Sequence, residues 1–211
     1  MNHQAFMVVM GGLAGVISLF AYIPYILSIL HGKTVPSKST WWILSALGGV
    51  TFLSYRDAGG FNTSFFLLGD VIGSSVVAFL SLFYGKKSIQ KLDIFCFLGA
   101  AASFILWFFI NENPSIAFCS GLFVEVIAMI PTIRKIVANP FEEDIGGWFL
   151  TFLASVVNSY AIEEWSFVVF FYPFYEVGIN GLVVFLISSG RKKLLRVNIP
   201  FIRMDSSALA K

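Results

Sequence analysis

Three acidic side chains lie inside apolar stretches of this sequence, where carboxylates are rare. Asp70, Glu125 and Glu176 each stand well within a run of hydrophobic residues. A charged group at the centre of a membrane costs about 2.5–3.5 kcal/mol on insertion scales, so such residues usually face a polar cavity. The three acids therefore predict cation binding or proton transfer. The alternative is a protonated carboxyl group that donates a hydrogen bond to a neighbouring helix.

Two asparagines and several aromatic residues also lie in apolar stretches. Asn158 and Asn180 would suit a polar ligand, or would link helices by hydrogen bonds, and both interpretations stay open. The aromatic residues that we expect to line a pocket are Tyr22, Tyr25, Trp107, Tyr160, Tyr172 and Tyr175. The tryptophans at predicted helix ends are expected to form an aromatic belt at the membrane surface: Trp41, Trp42, Trp148 and Trp165.

The residue patterns of most enzymes and metal sites are missing from the sequence. It contains no nucleotide-binding loop, no zinc-protease motif and no cluster of cysteine and histidine. Cys96 and Cys119 fall in apolar stretches, where we expect small buried side chains and no disulfide. The acidic loop 142–144 is expected to be solvated. We therefore expect no enzyme, no cofactor, no metal and no nucleic-acid partner.

The composition indicates an all-α integral membrane protein. Only 12% of the 211 residues are charged and 57% are hydrophobic, whereas a soluble domain has roughly 25% charged residues. A membrane helix needs about 17–25 mainly apolar residues. Seven segments meet this need: 5–31, 39–56, 63–85, 92–110, 114–137, 146–162 and 166–189. The spacing of Gly11 with Gly15, and of Gly69 with Gly73, predicts close helix packing.

The distribution of basic residues predicts the orientation in the membrane. If seven helices alternate, 13 of the 14 lysines and arginines fall on one side and only Arg56 falls on the other. Short cytoplasmic loops collect Lys and Arg, so the N-terminus is predicted outside and the C-terminus inside. The short loops favour a bacterial inner membrane, and an organelle membrane is the alternative.

An internal repeat divides the chain. Residues 21–29 match residues 128–136, and this alignment places Pro24 on Pro131 and Trp41 on Trp148, 107 residues apart. One residue is lost further along, so Asp70 falls on Glu176 at an offset of 106. The predicted units are a three-helix repeat (1–90), a linker helix (91–112), a second three-helix repeat (113–190) and a basic tail (191–211). Two such bundles would be parallel repeats, unless the apolar similarity arose by chance.

A 3+1+3 arrangement of helices with a proline in the first and fifth resembles the PQ-loop superfamily. This group includes the SWEET sugar transporters and the cystinosin-like and lysosomal cationic amino-acid transporters. The signature Pro-Gln dipeptide stands here as Pro24-Tyr25 and Pro131-Thr132, and the second and sixth helices lack the prolines typical of SWEETs. The resemblance implies that Pro24 and Pro131 are hinges for alternating access, with a static kink as the alternative. It also implies that Asn180 could bind a sugar hydroxyl.

These features together predict a secondary transporter or facilitator of a small polar solute. The buried acids favour a cationic or amino-acid-like solute or proton coupling, with Asp70, Glu125, Glu176, Asn158, Asn180, Tyr25 and Tyr175 as the candidate site. A sugar, vitamin or nucleoside transporter of the same fold and a seven-helix receptor are the alternatives. The expected partners are a small-molecule substrate and membrane lipid, and a homo-oligomer is an open alternative to a single chain.

Overall fold

The computed structural model describes residues 2–85, the isolated positions 91, 94, 98, 101, 105 and 109, and residues 114–208, with side chains described as far as Leu195. We refer to residues 2–85 as the first half and to residues 114–208 as the second half. The predicted linker helix 92–110, with Trp107 and Cys96, lies outside the described residues apart from five of the isolated positions.

The described residues form six α-helices and no strand. The first half contains α1 (His3–Leu30), α2 (Lys38–Asp57) and α3 (Ser64–Tyr84). The second half contains α4 (Pro114–Ala138), α5 (Ile145–Asn158) and α6 (Phe167–Ala208), with short 3-10 turns at Pro140–Glu142 and Ser159–Ala161. These six correspond to the first three and the last three predicted helices. One expectation is corrected: the last helix continues through the basic segment to Ala208 and does not end near Ser189.

Three of the described helices are long and apolar enough to cross a membrane. They are α1, α3 and residues Phe167–Leu195 of α6, with mean hydropathies of 2.2, 2.0 and 1.6. The outer face of α1 carries an exposed apolar stripe at helical spacing, which includes Leu13, Val16, Phe20 and Leu27. Such a face suits lipid better than water. The chain is therefore a helical protein that associates with a membrane.

Matched N-caps start the second helix of each half. The Ser37 side chain accepts a hydrogen bond from the Thr40 N–H at 3.4 Å, and the Asp144 side chain accepts one from the Gly147 N–H at 2.7 Å. Each cap satisfies a backbone donor that the first turn of a helix leaves unpaired. Ser37 and Asp144 are 107 residues apart, which is the offset of the sequence repeat.

Glycines let α1 and α3 approach closely in the first half. A Cβ atom added to Gly15 would lie 2.6 Å from the Phe65 carbonyl oxygen, and one added to Gly69 would lie 2.6 Å from the Gly15 carbonyl oxygen. Only glycine fits such contacts, so the predicted packing role of these residues is confirmed. Helix α2 lies against α3, where the Ser45 and Ser75 hydroxyls are 2.8 Å apart.

Two equivalent helix crossings join the halves. Helix α2 meets α4 where the Thr40 and Thr132 hydroxyls are hydrogen-bonded at 3.1 Å. Helix α1 meets α5 where a Cβ atom on Gly147 would lie 3.0 Å from the Tyr25 Cβ. Gly147 and Tyr25 are the residues that the 107-residue offset pairs with Thr40 and Thr132. The same two positions therefore form both crossings, with the roles of the halves exchanged.

Candidate functional site

A small cavity lies between the two halves, and each of the six described helices contributes to its wall. The lining residues are Ala21, Tyr22, Tyr25, Trp41, Leu44, Asp70, Glu125, Met129, Gly147, Trp148, Thr151, Glu176, Ile179 and Asn180. The free volume is ≈ 40 Å³. That volume holds about three water molecules, so the cavity is small.

All three acids singled out from the sequence line this cavity. Asp70 comes from α3, Glu125 from α4 and Glu176 from α6. They are separated by up to 106 residues in the chain, and the packing of the two halves brings them together. Their meeting at one cavity is the feature that the sequence pattern predicted, although their chemical role stays a prediction.

Neighbouring donors hold two of the three carboxyl groups in place. The Tyr22 hydroxyl donates to Asp70 Oδ1 at 2.5 Å. The Asn180 amide donates to Glu176 Oε2 at 2.9 Å, and the Glu125 and Glu176 carboxyl groups contact each other. Two neighbouring carboxylates repel each other when both are ionised, so a proton or a cation between Glu125 and Glu176 would stabilise the pair.

Two polar groups at the cavity wall lack a hydrogen-bond partner. The Tyr25 hydroxyl lies close to the Trp41 indole N–H and to the Glu143 carboxylate, but neither contact meets normal hydrogen-bond geometry among the described residues. The Trp41 and Tyr25 side chains are almost fully buried, at 3% and 2% exposure. Buried donors held this loosely are costly, so an acceptor that enters the cavity would be stabilised by them.

Packed aromatic rings line the cavity where α2 and α5 begin. We call Tyr22, Tyr25, Trp41 and Trp148 the tryptophan cluster. The Trp41 and Trp148 ring centroids are 6.1 Å apart with the rings tilted by 34°, and those of Tyr25 and Trp41 are 5.0 Å apart. Trp41 and Trp148 are equivalent residues of the two halves and contact each other across the boundary.

The tryptophan cluster corrects one expectation from the sequence. Trp41 and Trp148 are buried at 3% and 7% exposure, so they do not form a surface belt. Trp42 and Trp165 are exposed at 43% and 74%, as a belt requires. A position near a helix end is compatible with either role. The match of Trp41 with Trp148 in the repeat was the signal that distinguishes them.

A second set of aromatic residues lies at the other end of the helices. We call Tyr55, Phe66, Phe118 and Tyr172 the tyrosine cluster. Trp41 and Tyr55 lie at opposite ends of α2, about 21 Å apart along the helix axis. The Tyr55 hydroxyl lies 2.9 Å from Thr63 Oγ1 and 3.0 Å from the Val169 carbonyl oxygen. This contact with Val169 ties the first half to the second.

Several predicted site residues lie away from the cavity. Tyr160 is 61% exposed, so its predicted place in a pocket is wrong. Tyr172 belongs to the tyrosine cluster, although its hydroxyl contacts Glu176. Tyr175 is half-buried and is not part of the cavity wall. Asn158 ends α5, is fully buried and does not line the cavity, whereas Asn180 does.

The prolines predicted as hinges lie within unbroken helices. Pro24 is inside α1 and Pro131 is inside α4, and both helices continue past the proline. Pro24 lies near the crossing of α1 with α5, because a Cβ atom on Gly146 would be 3.8 Å from the Pro24 Cβ. The prolines are therefore next to the boundary between the halves, and a hinge role stays a prediction.

A buried ion pair lies beside the tryptophan cluster, and the sequence did not reveal it. Lys135 pairs with Glu143, a carboxylate that also accepts a hydrogen bond from Trp148 Nε1 at 3.1 Å. Lys135 also donates to the Val35 carbonyl oxygen of the first half, and Arg191 donates to the Glu143 carbonyl oxygen at 2.6 Å. Glu143 is only 1% exposed, so the expectation of a solvated loop is wrong.

Comparisons with known proteins do not place this chain in a family. No family model, no curated protein and no solved structure matches it.

Proposed function

We propose that this chain is a secondary transporter or facilitator that carries a small polar solute across a membrane by alternating access. A cationic or amino-acid-like solute is favoured, with proton coupling through the buried carboxyl groups. The observation that carries the proposal is the convergence of Asp70, Glu125 and Glu176 on one cavity between the two halves. Acids at this depth in a membrane protein mark ion or substrate pathways and proton relays.

The architecture around the cavity supports alternating access. A packed aromatic cluster lies toward each end of the helices, the tryptophan cluster at the cavity wall and the tyrosine cluster beyond it. If the halves rock against each other about Pro24 and Pro131, one cluster separates while the other stays packed. The cavity would then open to one side of the membrane at a time.

The proposed topology assigns each aromatic cluster to one side of the membrane. We propose seven membrane helices in a 3+1+3 arrangement of the PQ-loop type, with the N-terminus outside a bacterial inner membrane and the C-terminus in the cytoplasm. The tryptophan cluster would then face the cytoplasm, and the tyrosine cluster would face the exterior. The support for this orientation is the concentration of 13 of the 14 basic residues on one side.

The first experiment is a ligand screen by thermal stability. The purified chain in detergent is melted with amino acids, amines, sugars and nucleosides at pH 5.5 and 7.5. A ligand that binds the folded state raises the melting temperature by mass action. We expect cationic or amino-acid ligands to raise it in the wild type, and the shift to disappear in Asp70→Asn and Glu176→Gln.

The matched control is Asp57→Asn, because Asp57 is an exposed carboxylate at the end of α2. This variant should keep the full ligand response. If Asp70→Asn and Asp57→Asn respond equally, the acidic cavity is not the binding site. Solute flux into sealed vesicles then separates a transporter from a receptor, since a receptor binds its ligand without flux.

A neutral solute is the second candidate, and the tryptophan cluster favours it. Trp41, Trp148 and Tyr25 line the cavity, where an aromatic ring could pack against a sugar ring or a nucleobase. In that case the screen would identify a sugar or nucleoside, and its effect would survive Asp70→Asn and Glu176→Gln.

A further inference from the structure

We propose that the ligand of this cavity is a small organic ammonium ion that carries a neutral oxygen and no carboxylate, as in an amino alcohol or an amino-acid amide. The ammonium group would lie among Asp70, Glu125 and Glu176. The oxygen would accept hydrogen bonds from Trp41 and Tyr25. This inference rests on the proposed function, because the ligand site and the transport site are the same cavity.

The charges at the cavity suit a cation and oppose a carboxylate. Three carboxyl groups line the wall, and no lysine, arginine or histidine does so among the described residues. The sequence from 92 to 113, which lies mostly outside those residues, contains no basic residue either. A ligand carboxylate would lose its water without gaining a cationic partner, and it would face like charges.

Lys135 is a cation beside the tryptophan cluster that a ligand carboxylate would need as a partner, but it already has partners within the protein. Its ammonium group pairs with Glu143 and donates to the Val35 carbonyl oxygen. Breaking a buried ion pair to bind a carboxylate would leave Glu143 without its partner, in a position that is 1% exposed. The cation of this network therefore offers no site for an anionic ligand.

The unpartnered donors define the other end of the ligand. Trp41 and Tyr25 line the cavity and are almost fully buried, and their N–H and hydroxyl groups lie near each other without forming a hydrogen bond of normal geometry among the described residues. A hydroxyl or amide oxygen would satisfy them without bringing a negative charge toward the acids. The aromatic faces beside them also attract an alkylammonium group by cation–π interaction.

In the proposed binding step, one ammonium ion replaces one proton at the carboxyl pair. In the proposed empty state, Glu125 and Glu176 share one proton, because two neighbouring carboxylates repel each other when both are ionised. The ammonium group then replaces that proton between the two carboxylates, and one proton leaves to solvent. The titratable groups that face this pair are Asp70 from α3, Tyr22 from α1, and Tyr172 and Tyr175 from α6. Binding should therefore strengthen as the pH rises.

The test uses ligands that differ in one group. Glycine and glycinamide have the same shape, and only glycine carries a carboxylate. Ethanolamine and ethylamine both carry the ammonium group, and only ethanolamine has an oxygen. Binding of each to the full chain in detergent is measured by calorimetry at pH 5.5 and 7, where the amines remain mainly protonated. We expect glycinamide and ethanolamine to bind at least tenfold more tightly than glycine, and more tightly at pH 7 than at pH 5.5.

Variants then assign each group of the ligand. Glu125→Gln should lose at least tenfold in ethanolamine affinity and most of the pH dependence, whereas Asp57→Asn should lose neither. Trp41→Phe keeps a ring and removes the N–H, so it should weaken ethanolamine several-fold and leave ethylamine unchanged. Circular dichroism and melting of each variant confirm that it is folded before its affinity is compared.

Three results would overturn the inference. The first is that glycine binds as tightly as glycinamide, and the second is that Trp41→Phe weakens both amines equally. The third is flux of a sugar or of a zwitterionic amino acid without any amine binding, which would leave a transporter and remove this ligand class. Conversely, amine binding without vesicle flux would keep the ligand class and remove the transport function.

Discussion

In the first half of the chain, α1 and α3 meet at glycines, whereas α4 and α6 carry large side chains at the matching positions of the second half. Gly15 corresponds to Leu122 at the offset of 107, and Gly69 corresponds to Tyr175 at the offset of 106. The glycine contacts allow backbone against backbone, as between Gly15 and Phe65. Bulkier side chains hold α4 and α6 further apart, and Glu125 of α4 and Ile179 of α6 line the cavity on that side.

The two halves also differ in charge near the end of their first helix. Near the end of α1, the Ser28 and Thr34 hydroxyls form a neutral hydrogen bond of 2.7 Å. Lys135 stands at the position equivalent to Ser28, and it forms the buried ion pair with Glu143. The halves thus share their caps, crossings and central acids but differ in helix spacing and charge. The shared features build the cavity, and the differing features make its two walls unequal.

The largest effect on stability should come from breaking the ion pair. Lys135→Met leaves the Glu143 carboxylate buried without its cation, which should lower the free energy of unfolding by about 3–5 kcal/mol. The equivalent change in the first half, Ser28→Ala, removes a neutral hydrogen bond worth about 0.5–1.5 kcal/mol. Unfolding in detergent with increasing denaturant measures both.

The double variant Lys135→Met with Glu143→Leu separates charge from packing. It should recover most of the lost stability, because no unpaired charge is left in the interior. If Lys135→Met lowers the free energy of unfolding no more than Ser28→Ala does, the ion pair does not stabilise the second half, and the contrast between the halves is wrong.

The next effect concerns the glycine contacts of the first half. Gly15→Ala places a Cβ atom 2.6 Å from the Phe65 carbonyl oxygen, so α1 and α3 must separate. We expect a loss of about 1–3 kcal/mol in the free energy of unfolding, as for other overpacked sites. Gly12→Ala is the control, since nothing lies within 4 Å of its added Cβ. A larger loss in Gly12→Ala would contradict the packing described here.

A smaller loss should follow from removing the hydroxyl that joins the halves in the tyrosine cluster. Tyr55→Phe leaves the ring in place and removes the contact with the Val169 carbonyl oxygen. The expected cost is about 0.5–1.5 kcal/mol, measured by thermal melting. Tyr160→Phe, at a residue that is 61% exposed, should change nothing. Equal melting of the two variants would show that the hydroxyl does not couple the halves.

The smallest effect should come from Glu163, in the loop between α5 and α6. Partial burial raises the pKa of this carboxyl group above its usual 4.5, although the Asn62 N–H donates to it at 2.6 Å. A raised pKa in the folded state favours folding at low pH and loses that contribution as the pH rises through the folded pKa. The melting temperature of Glu163→Gln relative to the wild type should therefore rise between pH 4 and 7. A relative melting temperature that falls over this range would contradict the sign.

Patterns with a single physical explanation were predictable from the sequence. The apolar length of α1, α3 and α6 predicted membrane helices, and the glycine spacing predicted the contact between Gly15 and Gly69. The depth of Asp70, Glu125 and Glu176 in apolar stretches predicted a polar cavity, and the three side chains do line one. Apolar helices of this length favour lipid over water, and the exposure of three carboxyl groups to lipid would be costly, so one arrangement was strongly preferred for each.

Residues near helix ends were harder to place, because such positions suit both the surface and the interior. Trp41 and Trp148 fit an aromatic belt by position, yet they pack against each other between the halves. Glu143 fits a solvated loop by its neighbours in sequence, yet it pairs with Lys135 of the preceding helix. The first outcome depends on how one half packs on the other and the second on how the loop folds back on α4, and local sequence specifies neither.

The central claim is that the three acids form the site through which a cationic solute crosses the membrane. The most direct measurement is uptake of radiolabelled ethanolamine, lysine and putrescine into vesicles that contain the wild type, Glu176→Gln or Asp57→Asn. We expect the wild type and Asp57→Asn to take up at least one of these cations, and Glu176→Gln to lose at least nine-tenths of that rate. Equal uptake by wild type and Glu176→Gln, or uptake of none of the three by any folded variant, would contradict the account.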